Sequence, residues 1–301
     1  MKKALRYVLP GLIFLLSLGI HGQQYPLLKT IDSLIAADDF KTAQDVIRKN
    51  AQARAPMGLN IGRLVYPLAK SEYLSDKNTP FPLAMALMAD VTSAENQPDS
   101  VKYEAYLGLG LGLVDQGNVA RSEKYLLQAN ELANSMEDIK RMVASEFHLG
   151  ELGLKLGDIG SLLDRTNRAL HLIREHSGTK FRMAPRILNY KGSLMHFMGK
   201  PDSADYFFDK AIRSIDPIDN DPEHLYYLPG TIYGNWTMVK QSAGAYDVAM
   251  QLTLRSIASF NAFLKGTNNH PLTEKVHGNL SIAYRNLGSL YNDLGNKERA
   301  V

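Results

Sequence analysis

Apolar residues recur along this chain at helical spacing. The clearest stretch lies near its end, Tyr284-x2-Leu287-Gly288-x2-Tyr291-x3-Gly295-x4-Ala300. Tyr284, Leu287, Gly288 and Tyr291 fall at i, i+3, i+4 and i+7, which is one face of a helix. Gly295 predicts the stop, because glycine adopts the left-handed conformation at a helix C-terminus without a Cβ penalty. Asn296 predicts the cap of a following helix. Ala300 is the small residue that lets this second helix close on the first.

The same unit reads upstream four times. Tyr106, Leu109, Gly110, Leu113, Gly117, Ser122, Leu126 and Ala129 form one copy. Leu149, Gly150, Gly153, Gly157, Leu162 and Ala169 form the next. Leu188, Gly192, Met195, Gly199, Ala204, Phe208 and Ala211 make a third, closed by Asp216-Pro217. Tyr233, Trp236, Thr237, Gly244, Ala249, Ser256 and Ile257 make a fourth, with Thr237 where the others carry a mid-helix glycine. The turn glycines stand at 117, 157, 199, 244 and 295, so the spacings are 40, 42, 45 and 51 residues. Five in-phase copies predict stacked helix pairs, each burying one face internally and the other against its neighbour. No stretch alternates apolar and polar residues as a half-buried strand does.

The copies resemble tetratricopeptide (TPR) repeats, well over 103–301 and weakly over 25–56, where Asp39, Phe40, Ala43 and Ile47 look like a turn and second helix. Repeats of 40 residues or more resemble the longer-helix, kinesin-light-chain-like bacterial subgroup, and His270-Pro271 ahead of Asn286-Leu287-Gly288 suits it. The resemblance implies an all-α, right-handed superhelical solenoid of antiparallel helix hairpins. Gly153 for an aromatic, Leu162 for alanine and Thr237 for glycine depart from the pattern. A divergent helix pair is expected at about 58–74 and 80–94, giving three regions: a leader at 1–22, divergent repeats at 23–102 and the array at 103–301. Asp221-Pro222-Glu223 predicts an N-cap with proline in the first helical turn.

The leader changes the charge picture. Lys2, Lys3 and Arg6 precede an almost wholly apolar run from Tyr7 to Ile20, and Gly22 follows, the layout of a cleavable export signal. Cleavage is expected after Gly22, with an uncleaved anchor as the alternative. The chain has 34 basic and 31 acidic residues, and the leader holds three of the former and none of the latter, leaving 31 of each. That balance, with no basic cluster, argues against nucleic acid and anionic membrane as partners. The absence of cysteine excludes disulfides, thiolate metal sites and a lipid-modified N-terminal cysteine. The last copy stops just past Ala300, so more chain is expected to follow in the parent protein.

Catalytic motifs are missing. Gly108, Gly110 and Gly112 follow no strand and do not fit G-x-G-x-x-G, so helix packing is their expected role. The eight histidines include no HExxH, and His148 with Glu151 reads as a solvated or capping contact. Asp115, Asp158 and Asp293 lie near helix ends, where capping is expected, and Trp236 occupies a core position of its copy. No enzyme activity, cofactor or metal is expected.

The first helices of such pairs line a concave wall. On the faces turned from the packing stripe stand Phe147, Arg186, Asn189, His196, Asn235, Met238, Arg285, Asn286 and Asn292. Arg186, Asn189, Asn235, Arg285, Asn286 and Asn292 are the candidate partner-binding residues. Asn235 and Asn286 hold equivalent places, and the resemblance implies an asparagine ladder gripping a peptide backbone, since an amide both donates and accepts. The expected function is an exported, periplasmic or extracellular scaffold for a protein or peptide partner. The alternative is the sensor or recruitment region of a longer bacterial signalling protein, with a membrane tether, histidine kinase, DNA-binding output or caspase-like peptidase beyond residue 301. A glycan-binding outer-membrane protein is a third reading, disfavoured by the missing cysteine.

Overall fold

The computed structural model describes residues 26–37, 39–52, 61–76, 81–267, 270 and 272–295. The leader, Pro271, Asn296, Ala300 and Val301 lie outside these residues, and every regular element among them is a helix. The chain divides into two compact units at residues 177 and 178. The first holds α1 (Pro26–Ala36), α2 (Phe40–Gln52), a 3-10 turn (Ile61–Leu64) running into α3 (Val65–Ser75), and α4 (Pro82–Ser93). It continues with α5 (Asp99–Gln116), α6 (Val119–Ser135), α7 (Ile139–Lys155) and α8 (Ile159–Glu175). The second unit holds α9 (Ala184–Phe197), α10 (Pro201–Arg213), a π-helical turn (Glu223–Tyr227), α11 (Leu228–Ser242), α12 (Tyr246–Gly266) and α13 (Thr273–Asp293). The helix pairs α5/α6, α7/α8, α9/α10 and α11/α12 are the most extensively packed.

Glycines 117, 157, 199, 244 and 295 all have φ between 72° and 81°. At the first four the two N–H groups that follow the helix turn back on it. At the first, Gly117 N–H reaches Val114 O at 3.0 Å and Asn118 N–H reaches Leu113 O at 2.9 Å. This is the Schellman closure, which satisfies carbonyls that the helix end leaves orphaned. The turn between α6 and α7 uses the same bonds with no glycine: Glu137 sits there at φ 51°.

In the hairpins α5/α6, α9/α10 and α11/α12 a residue seven before the turn glycine meets one nine after it. A Cβ on Gly110 would lie 2.8 Å from Leu126 Cδ2, and one on Gly192 would lie 2.9 Å from Phe208 Cε1. In the last complete hairpin both partners are threonine, and Thr237 Oγ1 and Thr253 Oγ1 hydrogen-bond at 3.2 Å. A larger residue on one side is thus matched by a smaller one opposite, as close packing demands. The tightest glycine contact in that hairpin moves two heptads from the turn, where a Cβ on Gly230 would lie 2.7 Å from Phe260. The other departures compensate in kind: buried Leu162 lies beside Gly150, and Ser161 packs against Gly153.

Helix α5 carries glycine on two faces. Gly110 admits α6, while Cβ atoms on Gly108 and Gly112 would come within 2.8 Å of Tyr66 N and 2.6 Å of Ala69 Cβ on α3. One core therefore runs from Ile31 and Ile47 through Leu68 and Phe81 to Leu109 and Leu113. Within it buried Glu72 receives the Leu83 and Ala84 N–H groups, each at 2.9 Å, and so caps α4. A second core links α5, α6 and α7 through Tyr103, Leu107, Leu126, Ala129 and Leu149.

Candidate functional site

All six candidate binding residues fall in the second unit, but the fold treats them differently. Asn189 on α9 is fully buried, and its Oδ1 accepts a hydrogen bond from Asn235 Nδ2 of α11 at 3.1 Å. Asn189 Nδ2 is itself buried with no hydrogen-bond partner. Asn235 is half-buried, so the amide pair joins an interior acceptor to a donor nearer the surface. Arg186 is spoken for: its Nη2 donates to Glu223 Oε1 at 2.6 Å. Asn286 is half-buried on α13, whereas Arg285 and Asn292 are exposed. Phe147, expected on an open wall, is 1% exposed and packs edge-on to His148.

The open part of the polar face belongs to α11 and α13. Met238 is exposed one turn beyond Asn235, and the two helices are tied near their ends by Gln241, whose Nε2 reaches Asp293 Oδ2 at 3.1 Å. Ser289 and Asp293 therefore mark the side of α13 turned to α11, and Asn286 lies one turn before Ser289 on that side. Asn235 and Asn286 each stand nine residues before a turn glycine, so they occupy equivalent heights on neighbouring first helices.

A charged clasp holds the N-terminal end of this face. Lys180 pairs with Asp216 at 2.9 Å, Arg182 donates to Asp219 at 2.9 Å and to Asp221, and Arg186 to Glu223. Asp221 Oδ1 also accepts the Glu223 N–H at 3.0 Å, the N-cap read from the sequence, although the helix then begins with a π turn. Burial opposes the Arg182 charge, but Asp221 and Asp219 outweigh it and raise its pKa. Burial pushes the Glu223 carboxyl above its ordinary value, with Arg186 pulling the other way. Burial likewise tends to raise Asp219, but the Asp221 N–H and Arg182 overcome it and hold the carboxyl low. His224, whose Nε2 accepts the Asp216 N–H at 3.3 Å, is held below the usual imidazole value by burial. The run of acids at 216–223 was visible in the sequence, but nothing there paired it with basic residues almost forty positions earlier.

Trp236 is half-buried. It stacks on Phe208 at 6.3 Å and donates from Nε1 to Asp205 Oδ1 at 2.6 Å, beside the Lys240–Asp205 ion pair. In the first unit, His148 Nδ1 and Glu151 Oε2 lie 2.9 Å apart with both residues buried, so this contact is interior and not solvated as the spacing suggested. Asp158 caps α8 by accepting the Ser161 N–H at 2.9 Å, Asp115 accepts the Tyr66 hydroxyl at 2.9 Å, and Asp293 is the Gln241 partner. Among the described residues no cluster of three or more His, Asp or Glu side chains is arranged to hold a metal ion.

No protein-family model and no curated protein sequence matches the chain. Solved structures do. The apo form of RapI superposes with a TM-score of 0.58 at 12% identity, covering 91% of this chain and 72% of that one. BtubC (BKLC) from P. vanneervenii superposes with a TM-score of 0.56 at 16% identity, covering 79% of this chain and 92% of that one. At such identities the likeness is one of fold, and the fold of this chain is that of the TPR-like helical-repeat proteins.

Proposed function

We propose that the chain is a non-enzymatic scaffold that captures an extended peptide or protein segment along α11 and α13 of its second unit. The observation that carries this is the Asn189–Asn235 amide pair. Asn189 holds Asn235 from below, and Asn286 stands at the same height on the neighbouring helix. Two carboxamides so placed match the alternating donors and acceptors of an extended backbone, whatever its side chains. The neighbouring cations Arg182 and Arg186 are already matched by acids, so the chemistry is that of a neutral backbone grip. Arg285, exposed beside Asn286, then selects for acidic side chains in the bound segment.

The test is a peptide-display selection against the purified chain, followed by fluorescence anisotropy of the selected peptides. Asn235→Ala with Asn286→Ala should weaken binding about tenfold or more, each lost amide being worth roughly 1 kcal/mol. Unchanged affinity in the double variant sinks the ladder. The leader supports the further proposal that the scaffold works outside the cytoplasm. Mass spectrometry of the mature N-terminus, expected at Gln23, checks it, and an intact Met1 on a cytoplasmic product refutes it.

A further inference from the structure

The first unit carries a second site that the peptide reading does not use. Between α7 and α8, at the end of the hairpin away from its turn, lies an open hollow of ≈ 440 Å³ lined by Met142, Glu146, Asn167, Arg168, His171 and Leu172. Its residues divide by chemistry. Met142 and Leu172, both partly buried, give it an apolar wall. Glu146 is buried at its base, and its charge is already answered. Arg165 Nη1 donates to both carboxylate oxygens at 3.2 and 3.0 Å, and Asn130 Nδ2 lies 3.5 Å from one of them. Arg168 and His171, one helical turn apart, are exposed on the rim and make no ion pair among the described residues. Asp164, one turn before Arg168, forms no ion pair with it.

Arg168 is therefore the cation of the lining left without an acid, because Glu146 is engaged by Arg165, and Asn167 and His171 add polar groups beside it. The single carboxylate of the lining, Glu146, is already engaged by Arg165 and offers a cation little. A wholly apolar ligand leaves Arg168 unanswered. We propose that this hollow binds an apolar organic carboxylate, its body against Met142 and Leu172 and its carboxylate paired with Arg168 in a charge-assisted hydrogen bond. A free branched-chain acid and the C-terminal residue of a peptide share this chemistry.

Isothermal titration of the purified chain with four probes separates the cases: N-acetyl-leucine, its amide N-acetyl-leucinamide, 4-methylpentanoate, and acetyl-Ala-Ala-Leu with a free carboxylate. The acids should bind at least about tenfold more tightly than the amide, the scale of one hydrogen bond to a charged group. Arg168→Ala should remove that preference, and Arg168→Lys should keep part of it. Because Arg168 is exposed, these variants should retain the far-UV circular dichroism of the parent. Tighter binding of the tripeptide assigns the site to peptide ends, and equal binding by 4-methylpentanoate assigns it to free acids. Equal affinity for acid and amide, an unaltered preference in Arg168→Ala, or no acid binding up to about 10 mM, the weak limit of a specific contact, overturns the proposal.

Discussion

Replacing Gly192 by alanine isolates the packing rule on which the hairpins rest. In a solvent-facing helix interior this change stabilises by about 1 kcal/mol, because glycine is the poorer helix former. At Gly192 the new methyl would stand 2.9 Å from Phe208 Cε1 and 3.0 Å from both Cδ1 and Cζ. Carbon atoms prefer roughly 3.5–4.0 Å, so the methyl falls inside the repulsive wall of three ring atoms at once. Phe208 is fully buried and stacked on Trp236, which leaves the ring little room to withdraw. Overpacking of this kind costs roughly 1–3 kcal/mol, which exceeds the propensity gain and leaves a net loss of about 0–2 kcal/mol. The control is Gly278 in the interior of α13, where a Cβ would meet nothing within 4 Å and the full gain should appear. Thermal unfolding followed by circular dichroism should therefore move in opposite directions, up for Gly278→Ala and down for Gly192→Ala, by about 2–4 °C per kcal/mol. Fluorescence of the lone Trp236 should shift in Gly192→Ala alone. Pairing Gly192→Ala with Phe208→Leu should recover much of the loss. If Gly192→Ala stabilises as much as Gly278→Ala, the account of these glycines as contact points is wrong.

Other consequences follow from the caps and the clasp. Glu137 occupies a left-handed position that glycine fills at the other turns, so Glu137→Gly should raise stability by about 0.5–1 kcal/mol in urea unfolding. Glu72→Gln should cost roughly 1–3 kcal/mol, because one amide oxygen replaces the two that receive the Leu83 and Ala84 N–H groups. His224 and His196 both have imidazole pKa values lowered by burial from the ordinary 6.5. The unfolded chain takes up these protons near 6.5 while the folded chain resists, so stability is full above 6.5 and is lost as pH falls through the folded values. His224→Gln with His196→Gln should flatten the fall in unfolding midpoint between pH 7 and about 5 relative to the parent, and an unchanged slope contradicts the assignment.

The sequence by itself determined the positions of the turns. Gly117, Gly157, Gly199, Gly244 and Gly295 were legible because a left-handed backbone site selects glycine locally, with no knowledge of what packs nearby. The helices followed, since apolar stripes at helical spacing need only the chain's own periodicity. The turn at Glu137 was less legible, because there the same closure is made by a residue that does not announce it. The site divides along the same line. Periodicity put Arg186, Asn189 and Asn235 on faces turned from the packing stripe, whereas Asn189 is fully buried and Asn235 half-buried. What stands opposite each was decided by residues about forty positions away: Glu223 engages Arg186, Asn235 covers Asn189, and Asp205 takes the Trp236 N–H. The exchange of glycine and phenylalanine for two threonines at the same contact was equally hidden, because only the summed volume across two helices is constrained. Local backbone conformation and solvent periodicity are properties of neighbours in sequence. Burial, charge pairing and pocket formation depend on neighbours in space, and only the tertiary structure separates the exposed Asn292 of α13 from the amides of Asn189, Asn235 and Gln241 that the fold already engages.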